Sequence, residues 1–589
     1  MRSTFSGLNT MVRGVFSNQL SLDTVGHNIT NASTAGYTRQ SVNLAATRGQ
    51  QVSSIYGNVM LGTGVDSTSI TRARNVYADK QYWAETSTQK YYATTQVNYD
   101  KLEAIFNDSD KNGIQNALNE FYSAWQDLSS NASMDSTRVA VIEKGNVLCD
   151  KIKTVSSQLQ DQIKSQYEDM SATVNKVNDI TEQLVKLNQS IMTSESSGAT
   201  ANDLRDQRDL LVDELSEYMN LNVYEDANGM YSVVSNGISM VNGINRLTLQ
   251  MSEPIASSKT GTNYGISDYS IEIKESGVAY IPTNGSLKAQ IDTIKEDKSY
   301  MDNLADIAAF LMTTFNNMHQ QGAGIDGADT SIGAYTNNGN YAGPTYGINF
   351  FGDNNTVYKW DSATGTVQAN EFTDASITRS LDYDQTTGEV QVKIDGTLVN
   401  GQPTSLSGID IINALNVNSK ISASGGTSLV AARTFTVTQD TDANGGYLNS
   451  YSVTPNGSKD GTNAVNLSSL FNLEVSNVTN TASIMMNGTK MTTNAADRPI
   501  DKISLNAYYN STMSRLGSDS ESTDYMADAQ DDLITQIVSW RSSTAGVDWN
   551  EELTNMIKFQ QGYSACSRCL TTMDEMLDKL INSTGTVGR

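Results

Sequence analysis

The stretch FSGLNTMVRGVFSNQLSLDTVGHNI, residues 5–29, determines how the rest of the chain is interpreted. Its positions three and then four apart form one stripe along a helix, and most of them are apolar. The stripe comprises Phe5, Leu8, Val12, Val15, Gln19, Leu22, Gly26 and Ile29. An apolar stripe of this kind needs a neighbour to cover it, so the stretch predicts a helix that packs along another helix.

The same spacing recurs in MIKFQQGYSACSRCLTTMDEMLDKL, residues 556–580. The second stripe comprises Met556, Phe559, Tyr563, Cys566, Leu570, Met573, Leu577 and Leu580. Two matching stripes with residues 30–555 between them predict that the two terminal helices pair with each other. The alternative interpretation is that they are two ordinary amphipathic helices of a core.

The segment NITNASTAGYTRQ, residues 28–40, follows the first stripe directly. Asn, Thr and Gly are poor residues for a helix interior and good ones for caps and turns. The segment therefore predicts that the helix ends near Asn31 and that the chain turns at Gly36, where glycine allows a positive φ.

This segment resembles the N-terminal signature of the bacterial flagellar rod, hook and hook-associated proteins, Asn-Asn-hydrophobic-Ala-Asn-x-x-Thr-Pro-Gly-Tyr/Phe. The matching positions are Asn28, Ile29, Asn31, Thr34, Gly36 and Tyr37. The sequence departs from the signature at His27, Thr30 and Ala35, where the family has Asn, Ala and Pro. Loss of the proline relaxes the turn without removing it, because Gly36 remains.

Further segments resemble the hook-associated members more than the hook proteins. GYTRQ at residues 36–40 is one, NDLRDQRDLLVDEL at 202–215 is a second, and FQQGY at 559–563 with TMDEML at 572–577 is a third. A fourth comprises Asn317, His319, Gly322, Asp326, Gly327, Phe350 and Phe351. The resemblance covers residues 1–330 and 500–589, and no resemblance is assigned to the region between them.

The resemblance implies a structural subunit of the bacterial flagellum that forms a homo-oligomeric ring at the junction between hook and filament. It implies a secreted protein, exported unfolded by the flagellar type III apparatus, with hook protein and a second junction protein as its neighbours. It also implies a chaperone that holds the C-terminal helix before export. Two alternatives remain open: another axial subunit, such as a hook or filament protein, or an axial scaffold whose β insert binds glycans or carries an enzyme. In the second alternative, tyrosines and Trp360 would stack on sugars.

Composition agrees with a large exported structural protein. The chain has 589 residues, too many for a single core, and a net charge of −25. That charge argues against nucleic acid or an anionic membrane as a partner, because neither would meet a basic surface. No apolar run is long enough to span a bilayer, and we expect no cleavable signal peptide, because residues 1–20 lack its charged and apolar regions.

The sequence offers few candidates for chemistry, and we expect no enzyme, cofactor or metal. Cys566 and Cys569 form a C-x-x-C pair within the helical stripe, where core packing is expected, since no second pair completes a zinc site. The third cysteine is Cys149. Residues 108–113 and 440–445 begin like calcium loops but lack the glutamate at the twelfth position, so a helix cap and a hairpin turn are expected.

The distribution of proline and of hydrophobic spacing predicts an α+β multidomain protein with paired helical termini and an inserted, mainly β domain. Helical spacing is sustained from Leu148 to Ile191. We predict an axial helix and extended segment at residues 1–70 and an elongated helical domain at 71–325, with a small β region near 221–281. We predict that an inserted all-β domain follows at 326–500, and that helices at 501–589 complete the core.

Overall fold

The computed structural model describes residues 6–54, 57–107, 112–256, 262–325, 346–474, 482–491 and 499–583. Several positions singled out in the sequence lie outside these ranges. They are Phe5 of the first stripe, residues 108–111 of the first calcium-like segment, and Asp326 and Gly327 of the family resemblance.

Long helices dominate both flanks of the chain. They are α1 (Ser6–Asn31), α2 (Val76–Phe106), α3 (Ile114–Ser130), α4 (Asp135–Glu195), α5 (Asn202–Tyr218), α6 (Ser286–Phe310), α12 (Leu505–Ala545) and α13 (Trp549–Asp578). Shorter helices are α7 (Asn316–Gln320), α8 (Ile409–Ala414), α9 (Ser419–Ser422), α10 (Thr462–Ser469) and α11 (Pro499–Lys502). The described residues also include two π-helical turns, Leu311–Phe315 and Lys579–Ser583, and one 3-10 turn, Gly426–Leu429.

The strands fall into three groups along the chain. The first is β1 (Gln40–Ala46), β2 (Gln50–Ser54), β3 (Gly57–Leu61) and β4 (Val65–Arg72). The second is β5 (Asn222–Glu225), β6 (Tyr231–Ser235), β7 (Ile238–Asn242), β8 (Asn245–Arg246), β9 (Leu249–Met251), β10 (Ile255–Ala256), β11 (Ser267–Asp268), β12 (Ile271–Ile273) and β13 (Val278–Ala279). The third is β14 (Thr356–Asp361), β15 (Thr366–Glu371), β16 (Thr378–Asp384), β17 (Glu389–Asp395), β18 (Thr404–Leu406), β19 (Phe435–Thr441), β20 (Tyr447–Pro455), β21 (Ala482–Met486) and β22 (Thr489–Met491).

These strands form small sheets rather than one large one. The strand orders are β1-β4, β2-β3, β5-β6-β7-β8, β13-β12-β9, β10-β11, β14-β15-β18, β16-β17-β21-β22 and β19-β20. Among the described strands, only β17 and β21 pair in parallel. The tight turn between β6 and β7 has both Asn236 and Gly237 at positive φ, as a two-residue hairpin requires.

Helix α4 is the scaffold of the molecule. It has 61 residues and is therefore roughly 90 Å long. Its buried positions recur three and four residues apart from Leu148 to Ile191, which confirms the predicted rod-like helix. Helices α3, α5 and α6 pack along α4, and α2 joins them with α12 on its outer side. No helix in the described part of the chain is apolar enough over a sufficient length to cross a membrane.

The main core extends beyond the predicted boundary at residue 325. Phe350 and Phe351 pack against Phe121, Trp125 and Phe315, with ring centroids 5.4 to 5.8 Å apart. The pair of phenylalanines from the family resemblance therefore joins the inserted region to α3 and to the end of α6. A second, smaller core lies within the insert and comprises Val357, Phe372, Ile377, Val392, Ile394, Ile484 and Met491.

The insert is mainly β, but it is not all β as the sequence predicted. Helices α8, α9 and α10 interrupt its strands. They are four to eight residues long, too short for helical periodicity to stand out in the sequence. Trp360 is partly buried against the main core, which does not suit the exposed sugar-stacking role considered for it. The domain boundaries themselves stay a prediction.

Candidate assembly site: the terminal helix pair and its joint

The two terminal helices, α1 and α13, lie side by side, and we call them the terminal pair. Glycines allow the backbones to approach closely. A Cβ atom added to Gly7 would stand 3.0 Å from Cε of Met573, and one added to Gly14 would stand 3.0 Å from Sγ of Cys566. Any larger side chain at either glycine would therefore push the helices apart.

The most buried residues of α1 are not those of the predicted stripe. They are Ser17, Ser21, Thr24, Val25 and Asn28. The described stripe residues Leu8, Val12, Val15, Leu22 and Ile29 are only half-buried. Close approaches to α13 occur at Gly7 and Gly14, which are next to Leu8 and Val15 in the sequence. The proposed assembly role of the stripe stays a prediction.

On α13, the predicted stripe coincides with the side that faces α1. Cys566 and Met573 contact α1, and Met556, Phe559, Leu570 and Leu577 are half-buried. Tyr563 and Leu580 are more open, with 39% and 56% of their surface exposed. The C-x-x-C pair is split between two environments, since Cys566 lies against Gly14 and Cys569 is exposed.

The terminal pair leaves large apolar side chains open to solvent. Phe16 on α1 is 65% exposed. On α13 and the turn after it, the exposed residues are Trp549, Leu553, Ile557, Met576, Leu580 and Ile581. Trp549, Leu553 and Ile557 are four residues apart and so share one side of the helix. Contiguous apolar surface of this kind marks an interaction site.

Asn28 of the family motif organises the region where α1 ends. Its side chain is buried, and its Nδ2 donates to Gln40 O at 2.9 Å and to Glu552 Oε2 at 3.1 Å. Its Oδ1 accepts from Tyr37 Oη at 2.7 Å and from Gln40 N at 3.0 Å. One asparagine thus ties α1, strand β1 and α13 together. Aspartate could not replace it, since a carboxylate donates no hydrogen bond.

The remaining motif residues form the turn that follows α1. Asn31 Oδ1 accepts from Thr34 Oγ1 at 3.3 Å, and Thr34 N donates to Asn31 O at 2.9 Å. Gly36 has a φ of 74°, and a Cβ there would stand 3.2 Å from Cβ of Leu210. Both the backbone angle and the contact with α5 explain why the motif has glycine at this position.

Beyond this turn, side chains attach the terminal pair to the rest of the protein, and we call them the joint. Arg39 Nε donates to Glu552 Oε1 at 2.8 Å, and its backbone N donates to Ala545 O at 2.9 Å. Thr38 N donates to Asp206 Oδ2 on α5 at 2.9 Å. The segment after Gly36 therefore reaches α12, α13 and α5 within three residues.

Three arginines and four aspartates form the interior of the joint. They are Arg72, Arg74 and Arg541 with Asp79, Asp206, Asp209 and Asp213. Asp209 accepts from Arg72 at 2.7 Å and from Arg74 at 2.5 Å, and Asp213 accepts from Arg541 at 2.7 Å. These pairs connect the end of β4, the start of α2, helix α5 and the end of α12. Hydrogen bonds between opposite charges are the strongest available to such a contact.

Burial shapes the electrostatics of the joint. Burial, followed by the nearby carboxylates Asp203 and Asp206, raises the pKa of Tyr37, so its hydroxyl stays a donor to Asn28. Burial also raises the pKa of Asp213, while its contacts with Arg541 and Trp83 oppose this change. The joint is a set of largely enclosed ion pairs that screening by salt weakens little.

A cleft of about 260 Å³ opens at the joint between the motif turn, α5 and α12. Its lining includes Tyr37, Arg74, Asp213 and Arg541. Asp213 and Arg541 pair with each other, and Arg74 pairs with Asp79 and Asp209. Among the described residues, no group of three or more His, Cys, Asp or Glu side chains is placed to hold a metal ion.

Sequence reasoning did not assign the joint residues to the site. In the sequence, the segment NDLRDQRDLLVDEL stands out only as a family resemblance, although it contains Asp206, Asp209 and Asp213. Their spacing of three and four residues places them on one side of α5, which was the available signal. Their partners Arg72 and Arg541 are far away in sequence, so no local pattern links them.

Comparison with known proteins agrees with this architecture. Residues 99–333 match the family model of the flagellar hook-associated protein FlgK helical domain. Residues 541–583 match that of the flagellar basal body rod FlgEFG protein C-terminal region. The two matches fall on the helical body and on the C-terminal member of the terminal pair.

Full-length relatives share the whole length of the chain. Flagellar hook-associated protein 1 of Bacillus subtilis is 26% identical over 598 residues, which is 100% of both chains. That of Salmonella typhimurium is 26% identical over 604 residues, covering 98% of this chain and 99% of the relative. The solved flagellar hook junction protein FlgK from Burkholderia pseudomallei aligns with a TM-score of 0.51 at 17% identity, over 79% of this chain and 100% of that one.

The signature after α1, the terminal pair and these comparisons define a structural protein of the bacterial flagellar axis. Within that class, the chain is similar over nearly its whole length to flagellar hook-associated protein 1. Its relatives are structural flagellar components, and it is exported to the flagellum as they are.

Proposed function

We propose that the chain is a mechanical adaptor that assembles into a ring between hook and filament, and that the terminal pair is its assembly element. The observation that carries the proposal is the exposed apolar surface of that pair. Trp549, Leu553 and Ile557 are 52%, 45% and 56% exposed. Each large apolar side chain that becomes fully buried contributes roughly 1.5–3 kcal/mol. Covering this surface with neighbouring copies would therefore drive assembly strongly.

The joint supplies the second half of the proposal. An adaptor must transmit force between the axial core and the body outside it. The enclosed pairs of Asp206, Asp209 and Asp213 with their arginines couple these two parts by directional bonds. We infer that the joint fixes the orientation of the body relative to the terminal pair in the assembled ring.

The partners follow from the same surfaces. Copies of this chain would cover the terminal pair laterally, and hook protein and a second junction protein would cover it above and below. Before export, a chaperone would hold the apolar side of α13. The net charge of −25 argues against nucleic acid or an anionic membrane as a further partner.

The experiment replaces apolar side chains that are 45% to 56% exposed in the subunit. In cells lacking the native gene, the triple variant Trp549→Ser, Leu553→Ser, Ile557→Ser should leave hooks that carry few filaments and should release flagellin into the medium. The control Gln560→Ser, Gln561→Ser changes two exposed polar residues of the same helix and should restore filaments.

Secretion of each variant must be measured in parallel, because loss of chaperone binding would also remove filaments. A triple variant that is secreted normally but supports few filaments supports the proposal. Normal filaments on cells that carry the triple variant would show that this side of α13 is not an assembly surface.

A further inference from the structure

A buried polar cluster far from the terminal pair joins three helices of the body. Asp297 on α6 is fully buried, and Asn98 on α2 donates through Nδ2 to Asp297 Oδ1 at 2.8 Å. Two glutamines of α4 point at the same asparagine. Gln166 Nε2 and Gln162 Nε2 donate to Asn98 Oδ1 at 2.5 and 3.1 Å. The cluster is thus the polar contact at which α2, α4 and α6 meet.

The hydrogen bonds of this arrangement are incomplete. Oδ2 of Asp297 and Oε1 of Gln166 are buried and have no hydrogen-bond partner among the described residues. A buried oxygen without a donor is unfavourable, and it is more so when the group carries a charge. The hydrogen bonds of Asn98 with Asp297, Gln162 and Gln166 are therefore one of two arrangements that these side chains can adopt.

We propose that these four side chains form a proton-binding site, in which uptake of one proton by Asp297 reverses the hydrogen bonds between α2, α4 and α6. The proton comes from solvent and adds to the carboxylate, which becomes a neutral carboxylic acid. Its hydroxyl then donates to Asn98 Oδ1 after the amide group of Asn98 has turned over. Nδ2 of Asn98 then points at α4, where the amide group of Gln166 turns over as well, so that Gln166 Oε1 accepts from Asn98 Nδ2. No covalent bond other than the new O–H bond is formed or broken.

In the reversed arrangement, Gln162 Nε2 and Gln166 Nε2 give up Asn98 Oδ1 as their acceptor. Gln166 Oε1 gains a donor, and the uncompensated charge of Asp297 disappears. The site is also accessible to water. A cleft of about 330 Å³ between α2, α4 and α6 is lined by Asn98, Gln162 and Gln166, and a second cleft of about 280 Å³ also reaches Asn98. Protons can therefore arrive through either cleft.

The charged surroundings place the transition near neutral pH. Burial raises the pKa of Asp297 to about 7, the hydrogen bond from Asn98 lowers it, and Glu296 on α6 raises it while Lys101 on α2 lowers it. Other charged groups that line the two clefts are Lys90 on α2, Asp169 on α4, and Asp292 and Lys295 on α6.

The first test compares unfolding of the full chain with that of Asp297→Asn as a function of pH. A carboxyl group in the unfolded chain titrates near pH 3.9, so from about pH 4 to 7 the unfolded chain is ionised while native Asp297 keeps its proton. Relative to the variant, the unfolding equilibrium constant of the wild type should rise about tenfold per pH unit in this window and level off above it. The control Asp292→Asn alters a partly exposed aspartate already paired with Lys288 and should keep the wild-type dependence.

Equal pH dependence of the wild type and Asp297→Asn would overturn the proposal. The second test follows the wild-type protein and uses Asn98→Ser only to assign resonances, so it remains informative if Asp297→Asn does not fold. The side-chain amide resonances of Asn98, assigned with Asn98→Ser, should shift between pH 5.5 and 8.5 with a midpoint near that of the Asp297 carboxyl. A carboxyl that titrates while the Asn98 amide stays unchanged would contradict the reversal.

Discussion

Removing the carboxylate of Asp209 should detach the terminal pair from the body without unfolding the body. Asp209 has 1% of its side chain exposed and accepts from Arg72 and Arg74, which are 10% and 12% exposed. Removing one partner of a buried ion pair typically costs about 3–5 kcal/mol, because the opposite charge stays buried without compensation. Asp209→Ala leaves two such arginines, each with one remaining aspartate.

The assay is hydrogen exchange of the backbone amides that cross the joint. Thr38 N donates to Asp206, Arg39 N donates to Ala545 O, and Ala73 N donates to Arg39 O. A loss of about 3 kcal/mol corresponds to roughly a hundredfold decrease in the protection of these amides. Protection within α4 should remain at its wild-type level, because α4 makes no contact with Asp209 that the substitution removes.

The matched control is Asp203→Ala on the same helix. Asp203 is 61% exposed on its side chain and bonds to His27 and Gln40 at the edge of the joint. An exposed pair contributes about 0–1 kcal/mol, so protection should fall by less than about tenfold. Equal loss of protection in the Asp203→Ala and Asp209→Ala proteins would refute the reasoning that burial gives the joint its strength.

Three further predictions follow from the same structure. Burial lowers the pKa of His319 to about 4, and its ring accepts a hydrogen bond from Ala431 N. A histidine in the unfolded chain titrates near 6.5. The stability that this site contributes above pH 6.5 should therefore fall by about 3 kcal/mol as the pH drops toward 4. Urea unfolding of the wild type and of His319→Gln at pH 4.5 and pH 7 checks this prediction. If the free energy of unfolding changes equally between the two pH values in both proteins, the prediction is contradicted. Gly14→Leu should separate the terminal pair and increase hydrogen exchange throughout α1, and unchanged exchange would contradict the close contact. Leu570→Asp with Leu577→Asp should abolish filament growth by placing unpaired charges on the side of α13 that faces α1, and normal filaments in that strain would refute it.

The apolar stripes predicted the pairing of the termini but not the geometry of the contact. On α13 the stripe faces α1, as Cys566 and Met573 show. On α1, close approaches to α13 occur at Gly7 and Gly14, and the most buried residues are mostly small and polar. Hydrophobic spacing identifies surface that must be covered, whereas closeness of approach depends on side-chain size. A single sequence therefore did not reveal which neighbour covers which side.

The motif residues and the joint show the same limit in another form. Turn chemistry in the sequence predicted the end of α1 and the turn at Gly36, because both depend on local backbone preferences. The bond from Asn28 to Glu552 joins residues near opposite ends of the chain, and Asp213 and Arg541 of the joint are 328 residues apart. Charged residues carry no periodic signal of their partner. In the insert, runs of β-branched residues predicted the strands, whereas the short helices left no recognisable pattern in the sequence.

Position in the fibre tests the central claim most directly. A small epitope tag in the exposed turn at Gly401, far along the chain from the terminal pair, leaves the proposed assembly surface unchanged. Immunogold labelling of intact flagella should then place the protein in a single narrow band at the boundary between hook and filament. Labelling along the length of the hook or of the filament would contradict the account.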